Sequence, residues 1–346
     1  MRLADQIAQS RFPFYVRDAC SREVVRLNGV ADHADQLLRC PTRYVLSDDL
    51  TRLCTALAYS RGARSLACAD LLRVPAECVW VEWCEAPWQE ELERYGLRCG
   101  DESAAISGRR GALIRSSPQG RRGQIRTFWS AGPTDGSGGR SELDVVASSM
   151  EAFFDFDTPE GEAPDPPDGE AAPAITVFDQ ELRRADVLRR CFRFRFERTW
   201  ADYYARAGLS PGQMDAIARH ALGTIAIDVP VLLTFLVLLM SRPGIPRRPL
   251  MLERLNRARG KAGKRPLLPH VEVFSPLSPD YLPSLDAGSG CGRRPPRLHH
   301  VRGHLVRRGS QISWRVPHLR GSARAGLVRS RTVTWTIDTP SAITLT

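Results

Sequence analysis

Lysine is almost absent from this 346-residue sequence, and so are long hydrophobic runs. Lysine occurs only at Lys261 and Lys264, so arginine carries nearly all of the positive charge. The most apolar stretch, Val231–Met240, is about half as long as the ~20 residues that a membrane span needs. The short length of this run argues against a membrane span and predicts that Val231–Met240 belongs to a buried core helix.

Cysteine patterns that are typical of metal sites or disulfide frameworks are also missing. The nine cysteines are odd in number, form no Cys-x-x-Cys pair and lie among apolar residues. The first residues, Met1–Gln6, lack the apolar core of a signal peptide. The sequence therefore predicts free, buried thiols in a reducing compartment and a cytoplasmic location.

No motif for a known catalytic chemistry is present. The glycine-rich stretch Gly132–Gly139 is not followed by the Lys-Ser/Thr of a phosphate-binding loop, and there is no nucleophile elbow or HExxH motif. Glu82 is a single acid within an apolar stretch, and a single acid does not make a mechanism. We therefore predict no catalytic residue and no cofactor, and a non-enzyme is favoured over an enzyme.

The charge is distributed unevenly along a chain of otherwise ordinary composition. The net charge is +10, with 42% hydrophobic and 25% charged residues. Residues 242–331 contain 20 basic and four acidic residues, whereas residues 1–241 contain 29 basic and 34 acidic residues. This asymmetry predicts a nearly neutral body that carries a basic appendage.

Element patterns and breaks predict an α+β protein in four parts. Residues 1–154 form an N-terminal domain with a small antiparallel sheet and helices. Residues 155–174 are an acidic linker with five prolines. Residues 175–270 are mainly helical, and residues 271–346 form a basic C-terminal β module.

Three β-rich stretches define the predicted N-terminal sheet: Cys78–Cys84, Ala112–Arg115 and Gln124–Trp129. A helix that begins after the capping residue Ser47 carries an apolar stripe from Leu50 onwards and can pack on this sheet. Aromatic residues of the strands could form a base-stacking platform, but the core of the sheet is the favoured interpretation. These aromatic residues are Trp80, Trp83, Phe128 and Trp129.

Two patterns organise the central part of the chain. Phenylalanine and arginine alternate in Cys191–Phe196, which predicts a strand with the three phenylalanines on one face. Ser210 and Pro211 match a helix start, with a capping serine followed by proline in the first turn. Pro230 is expected to start or kink the next helix.

The C-terminal part concentrates arginine and histidine. Between Arg293 and Arg331 there are eleven arginines, no acidic residue and four of the seven histidines. Leu298–Arg307 is predicted to pair with Ile312–Val316 through a turn at residues 308–311, and Leu327–Ile337 can add a third strand.

This charge density predicts a surface for a polyanion, most simply nucleic acid. Arginine binds phosphate in a two-pronged geometry, and Trp314 could stack on a base. The alternatives are a solvated basic face and a face that docks on the acidic linker of the same chain. The predicted nucleic-acid-binding residues are Arg293, Arg294, Arg297, His299, His300, Arg302, His304, Arg307, Arg308, Trp314, Arg315, Lys261, Lys264 and Arg265.

A histidine pair raises a different possibility. On one strand, His300 and His304 share a face and could bind a metal ion. A metal-dependent nuclease would also need carboxylates, and none lies between Asp286 and Asp338. We therefore favour packing or hydrogen bonding for these histidines and predict no metal site.

Several motifs occur here in the same order as in a family of phage and mobile-element proteins. They are Trp80-Val-Glu-Trp83, Gly120-Arg-Arg-Gly123 with Phe128-Trp129, an apolar helix before a Ser-Arg-Pro turn, and the basic stretch 297–308 followed by Trp314. The sequence resembles that family, which is similar to the type V-A anti-CRISPR protein that suppresses production of the Cas effector. The resemblance implies a regulator that works on a message or a translating ribosome, without catalytic residues.

Together these observations predict a cytoplasmic, non-enzymatic regulatory protein. Its partners would be RNA or a ribonucleoprotein such as the ribosome at the C-terminal module, and a protein at the N-terminal domain, with no membrane involved. Two alternatives stay open: a metal-dependent nuclease that uses His300 and His304, and a virion or structural protein.

Overall fold

A computed structural model describes most of the chain. The described residues are 2–9, 14–17, 24–27, 31–59, 71–96, 108–130, 145–158, 191–241, 244–276, 297–301, 304–315, 318–320 and 322–327. Most of the predicted acidic linker and the predicted strand after Leu327 lie outside these residues.

The described residues form seven helices and fifteen strands. The helices are α1 (Leu3–Gln9), α2 (Ala31–Arg39), α3 (Asp48–Tyr59), α4 (Glu85–Glu93), α5 (Arg198–Arg206), α6 (Pro211–Met240) and α7 (Glu253–Lys261). The strands are β1 (Phe14–Arg17), β2 (Val24–Leu27), β3 (Thr42–Leu46), β4 (Cys78–Cys84), β5 (Arg109–Ser116), β6 (Arg122–Ser130), β7 (Val145–Asp155), β8 (Phe192–Phe196), β9 (Arg247–Leu250), β10 (His270–Val273), β11 (Arg297–Val301), β12 (His304–Arg308), β13 (Gln311–Arg315), β14 (His318–Arg320) and β15 (Ser322–Leu327).

One sheet of eight strands organises the fold, in the order β8-β7-β6-β5-β4-β3-β10-β9. Strand β3 is parallel to both β4 and β10, and the other neighbouring pairs are antiparallel. The protein is thus a mixed α and β protein. The three strands that the sequence predicted as a small antiparallel sheet are present as β4, β5 and β6, but they are the middle of a larger mixed sheet.

This sheet is shared by segments that the sequence analysis assigned to different domains. Strand β8, from the predicted helical region, pairs with β7 of the predicted N-terminal domain. Strand β10 begins at the predicted boundary near residue 270 and inserts between β3 and β9. Main-chain pairing between such distant segments leaves no signature in local composition, so the predicted boundaries do not divide the sheet.

Both faces of the sheet are covered, because its side chains alternate between two apolar cores. In β4, Val79, Val81 and Trp83 lie in one core, which also contains side chains of α3, α4 and α6. Trp80 lies in the other core, with side chains of α1, α2 and α5. Trp80, Trp83 and Phe128 are at most 1% exposed, which confirms that these aromatics are core residues.

Local signals at the start of α6 are confirmed in detail. The Ser210 hydroxyl accepts a hydrogen bond from the Gln213 amide, and the Gln213 side chain bonds back to the Ser210 amide, which completes a capping box. Pro211 occupies the first turn, where its missing N–H costs no helical bond. Ser47 caps α3 in a similar way, because its hydroxyl accepts a hydrogen bond from the Leu50 amide at the start of that helix.

Helix α6 continues through Pro230, where the sequence suggested a new start or a kink. By length and composition it could cross a membrane, yet 89% of its most apolar 18-residue window is buried inside the protein. The burial agrees with the interpretation as a core helix. Tertiary burial outweighs the one main-chain hydrogen bond that Pro230 removes.

The one acid within the apolar part of α6 is held by an arginine of the sheet. Asp228 is fully buried, and its two carboxylate oxygens accept from Nε and an Nη of Arg110 on β5, each at 3.1 Å. Arg110 also pairs with Glu85 at 3.1 Å and lies 4.4 Å from the ring centre of Trp88. This bidentate pair fixes the rotation of α6 relative to the sheet.

Asp228→Ala should lower the free energy of unfolding by about 3–5 kcal/mol, because the buried Arg110 loses its bidentate partner. Asp215→Ala is the matched control on the same helix, because its pair with Arg219 is exposed, and it should cost less than about 1 kcal/mol. Urea denaturation measures both values. Equal values for the two variants would show that the buried pair does not hold α6 in place.

A second buried network lies beside Phe128, in the apolar core that also contains Trp80. The Arg126 guanidinium bonds the Glu151 carboxylate and the Nε2 atom of His33. Burial, and next the positive charge of Arg126, lower the pKa of His33 to about 3. The folded protein therefore holds His33 neutral over a pH range in which an unfolded histidine is protonated.

Acidification should weaken the fold between about pH 7 and pH 4, because the unfolded chain binds a proton at residue 33 there and the folded chain does not. His33→Gln should make the free energy of unfolding less dependent on pH in this window. Chemical denaturation at several pH values tests this. An unchanged pH dependence would contradict a neutral, half-buried His33.

Candidate nucleic-acid interface

The structure divides the predicted nucleic-acid-binding residues into three groups. Side chains are described for His304, Arg307, Arg308, Trp314, Arg315, Lys261, Lys264 and Arg265. For Arg297, His299 and His300 only the strand β11 is described. Arg293, Arg294 and Arg302 lie outside the described residues.

The pairing of the C-terminal strands is predicted correctly in one part only. Strands β12 and β13 form an antiparallel hairpin, as expected, with Gly309 at φ 57° in its turn. Residues 298–301 do not continue that pairing. They belong to β11, which pairs with β14 and β15 instead. The prediction of one continuous strand over residues 298–307 was wrong because its alternation alone cannot reveal that residues 298–301 and 304–307 pair with different strands.

The register of the hairpin gives one mainly apolar face and one mainly polar face, which also holds Val306 opposite Ser313. Leu305 opposes Trp314, and this pair shares a face with Ile312 and with Arg307, which opposes Ile312. Arg307 is exposed, and its Nε donates to the Gly309 carbonyl at 3.1 Å. His304 opposes Arg315, and Arg308 opposes Gln311, so these four side chains share the other face. All four are exposed. The polar face therefore carries two exposed arginines, with Ser313 between them on β13.

Trp314 is part of the core and not of the exposed surface. It is 4% exposed and packs with Ile312 in the same apolar core as α6. The proposal that its ring stacks on a base is thus wrong for this conformation. Strand alternation did not decide the question, since it shows that Ile312 and Trp314 share a face but not which face is covered.

Trp314→Ala should destabilise the protein by about 3–5 kcal/mol, as expected for truncation of a buried aromatic residue. Thermal and urea unfolding, followed by tryptophan fluorescence and circular dichroism, measure the loss. Unaltered stability combined with loss of RNA affinity would instead restore a stacking role for the ring.

Ten arginines in the body of the protein form ion pairs with acids. These arginines are Arg52, Arg94, Arg109, Arg110, Arg121, Arg122, Arg126, Arg195, Arg219 and Arg248. Arg308 and Arg315 differ, because neither has a hydrogen-bond or ion-pair partner among the described residues, and both are exposed. Their charge is available to a partner.

A second basic segment begins in α7. Lys261 ends this helix, and Lys264 and Arg265 follow in a turn where Gly263 has φ 65°. All three basic residues are exposed, and the Arg265 carbonyl accepts a bond from Arg259 Nε at 2.8 Å. Arg254 and Arg257 were not among the predicted binding residues, although both share a helical face with Lys261.

The structure does not support the premise of the histidine metal site. His300 is in β11 and His304 is in β12, and these strands belong to different sheets. The two histidines therefore do not share the face of one strand. Among the residues that the structure describes, no three His, Cys, Asp or Glu side chains are grouped to hold a metal ion.

Glu82, the single acid of β4, has a structural role. Its fully buried carboxylate accepts from the Leu3 and Ala4 amides at 2.9 and 3.1 Å, where it faces the positive end of α1. It also accepts from Trp80 Nε1 at 3.1 Å and pairs with Arg109. These contacts hold α1 on the sheet and use both oxygens of the Glu82 carboxylate as hydrogen-bond acceptors.

Comparison with known proteins adds no further information about the site, since no family model, curated protein or solved structure matches the chain. The geometry itself defines a mixed α and β protein with a covered central sheet, an exposed basic hairpin and an exposed basic helix with its following turn.

Proposed function

We propose that the protein is a non-enzymatic regulator that binds RNA or a ribonucleoprotein through the basic surface of its C-terminal third. The observation that carries this proposal is the polar face of the β12–β13 hairpin. There, Arg308 and Arg315 are exposed and have no acidic partner among the described residues, whereas ten arginines of the body are paired with acids.

The physical basis is electrostatic. An exposed guanidinium donates paired hydrogen bonds to a phosphate, and each neutralised phosphate releases condensed counterions from the nucleic acid. The hairpin is fixed to the core by Trp314 and Ile312, so its arginines are presented on a supported scaffold. A surface of this kind contacts the backbone and binds with little dependence on sequence.

The biological setting that we propose is regulation of a message. The sequence resembles a family that is similar to an anti-CRISPR protein with such a role. In this setting the chain acts in the cytoplasm on RNA or a translating ribosome, and its N-terminal part contacts a protein partner. Lys261, Lys264 and Arg265 extend the phosphate-binding surface beyond the hairpin.

Replacement of Arg308 and Arg315 by glutamine should weaken RNA binding. If each contacts one phosphate of a single strand, the slope of log affinity against log salt should fall by about 0.7 per residue. Fluorescence anisotropy with a labelled single-stranded RNA, measured from low to physiological salt, gives both affinity and slope. The control variant Arg39→Gln with Arg206→Gln removes the same charge from exposed positions of α2 and α5.

The control variant should bind with nearly wild-type affinity and slope. If both double variants lose the same affinity, the hairpin acts only through net charge, and the proposed contact is wrong. The RNA is inspected after incubation with magnesium and with a chelator, and we expect it to stay intact. Magnesium-dependent cleavage that disappears in His304→Ala would overturn the non-enzymatic assignment.

A further inference from the structure

Helix α7 projects from the edge of the central sheet without a buried side chain. It follows β9, which pairs with β10 at the end of the strand order. A helix of nine residues is not stable alone, so something must hold it. That support comes from the side chain of Asn256. Its Nδ2 donates to the Leu267 carbonyl at 2.9 Å, and its Oδ1 accepts from the main-chain N–H of Leu267 at 2.7 Å.

The returning chain is anchored in turn to the body. The Leu268 amide donates to the Asp5 carboxylate at 2.7 Å, which ties the segment to α1. Gly263, at φ 65°, allows the reversal between the helix and this return. These hydrogen bonds therefore hold segment 253–268 in place on the body, although none of the side chains of α7 itself is buried.

One face of this projection is a row of unpaired positive charges. Arg254, Arg257 and Lys261 are spaced i, i+3 and i+7, which places them on one face of the helix. Lys264 follows just beyond the helix. All four side chains are exposed, and none has a hydrogen-bond or ion-pair partner among the residues that the structure describes. We refer to these four residues as the α7 stripe.

The length of the α7 stripe fits a strand of nucleic acid. From Arg254 to Lys261 the helix rises about 10 Å at ~1.5 Å per residue. A stacked strand advances ~3.4 Å per nucleotide, so this distance corresponds to about three nucleotides. Long, flexible arginine and lysine side chains can then reach successive phosphates. Segment 253–265 contains six basic residues and one acid, Glu253, so little of its charge is cancelled locally.

Exposed apolar side chains accompany these charges. Met251 is 76% exposed and Leu255 is 49% exposed, and they are the two most exposed large hydrophobic side chains of the described residues. Leu255 lies about 100° around the helix from Arg254, so these groups flank the row of charges and can lie against sugars and base edges. They are too few for an amphipathic membrane helix, whose insertion needs an extended apolar face.

We propose that the α7 stripe is a second RNA-binding surface, which contacts about three consecutive phosphates while Met251 and Leu255 lie against the adjoining sugars. This inference rests on the proposed RNA-binding function and adds a contact region distinct from the hairpin. Arg254 and Arg257 are its new members, and RNA that bridges both regions binds more tightly than RNA that reaches one.

The decisive experiment compares two triple variants of the full chain. Arg254→Gln, Arg257→Gln and Lys261→Gln remove three charges from the α7 stripe. Arg39→Gln, Arg73→Gln and Arg206→Gln remove three charges from exposed positions of the body. Glutamine has a helix propensity close to those of arginine and lysine, so both variants should fold, which circular dichroism and thermal unfolding verify.

The stripe variant should bind labelled single-stranded RNA at least tenfold more weakly than wild type near physiological salt, with a salt slope reduced by about 2. The control variant should stay within about threefold of wild type. Ultraviolet crosslinking followed by mass spectrometry should find RNA attached to peptides that contain residues 251–265, and this readout does not depend on any substitution.

The outcomes separate this inference from the proposed function. If the wild-type protein binds no RNA at low salt, both the proposed function and the proposal for the α7 stripe are wrong. A second outcome overturns only the proposal for the α7 stripe. In that outcome, RNA binding falls in the hairpin variant, the two triple variants bind RNA equally, and no crosslinks are found at residues 251–265. If the stripe variant keeps its RNA affinity but loses binding to vesicles of phosphatidylcholine and phosphatidylserine, the surface is lipid-directed and the inference is also wrong.

Discussion

The burial of α6 against the central sheet is the constraint on which the rest of the structure depends. This helix supplies more buried side chains to one apolar core than any other element, and the Arg110–Asp228 pair sets its rotation. Strands β8 and β10 lie at distant points of the chain, yet both belong to the sheet that α6 covers. The hairpin is attached to the same core through Trp314 and Ile312. Hydrophobic burial therefore determines where the basic surface can be presented.

Electrostatics divides the arginines into two populations. Several arginines of the sheet are paired with acids, partly in buried networks such as Arg126–Glu151, where an unpaired charge would be costly. The exposed cations of the hairpin and of α7 have no such partner among the described residues and keep their full charge at the surface. A protein with a modest overall charge can therefore hold a concentrated positive surface, because the body neutralises its own arginines.

Much of the local structure was predictable. The alternation in 192–196 gave a strand whose phenylalanines point to the core, and Ser210 with Pro211 marked the start of α6. The turn at residues 308–311 was also correct. Apart from Pro230, through which α6 continues, the wrong expectations concerned partners. They were the continuous strand through residue 301, the shared face of His300 and His304, and the exposed ring of Trp314. Each depends on which distant segment covers a face or pairs with an edge.

The sequence alone determined the elements, the charge asymmetry and the candidate cations, because capping, alternation and composition act over a few neighbouring residues. The tertiary structure decided which of those cations are free, which aromatics are buried and which strands share a sheet. The physical reason is that pairing and burial are contacts between residues far apart in the chain. Arg110 and Arg308 look alike in sequence, and only the fold gives the first a buried acid and leaves the second exposed.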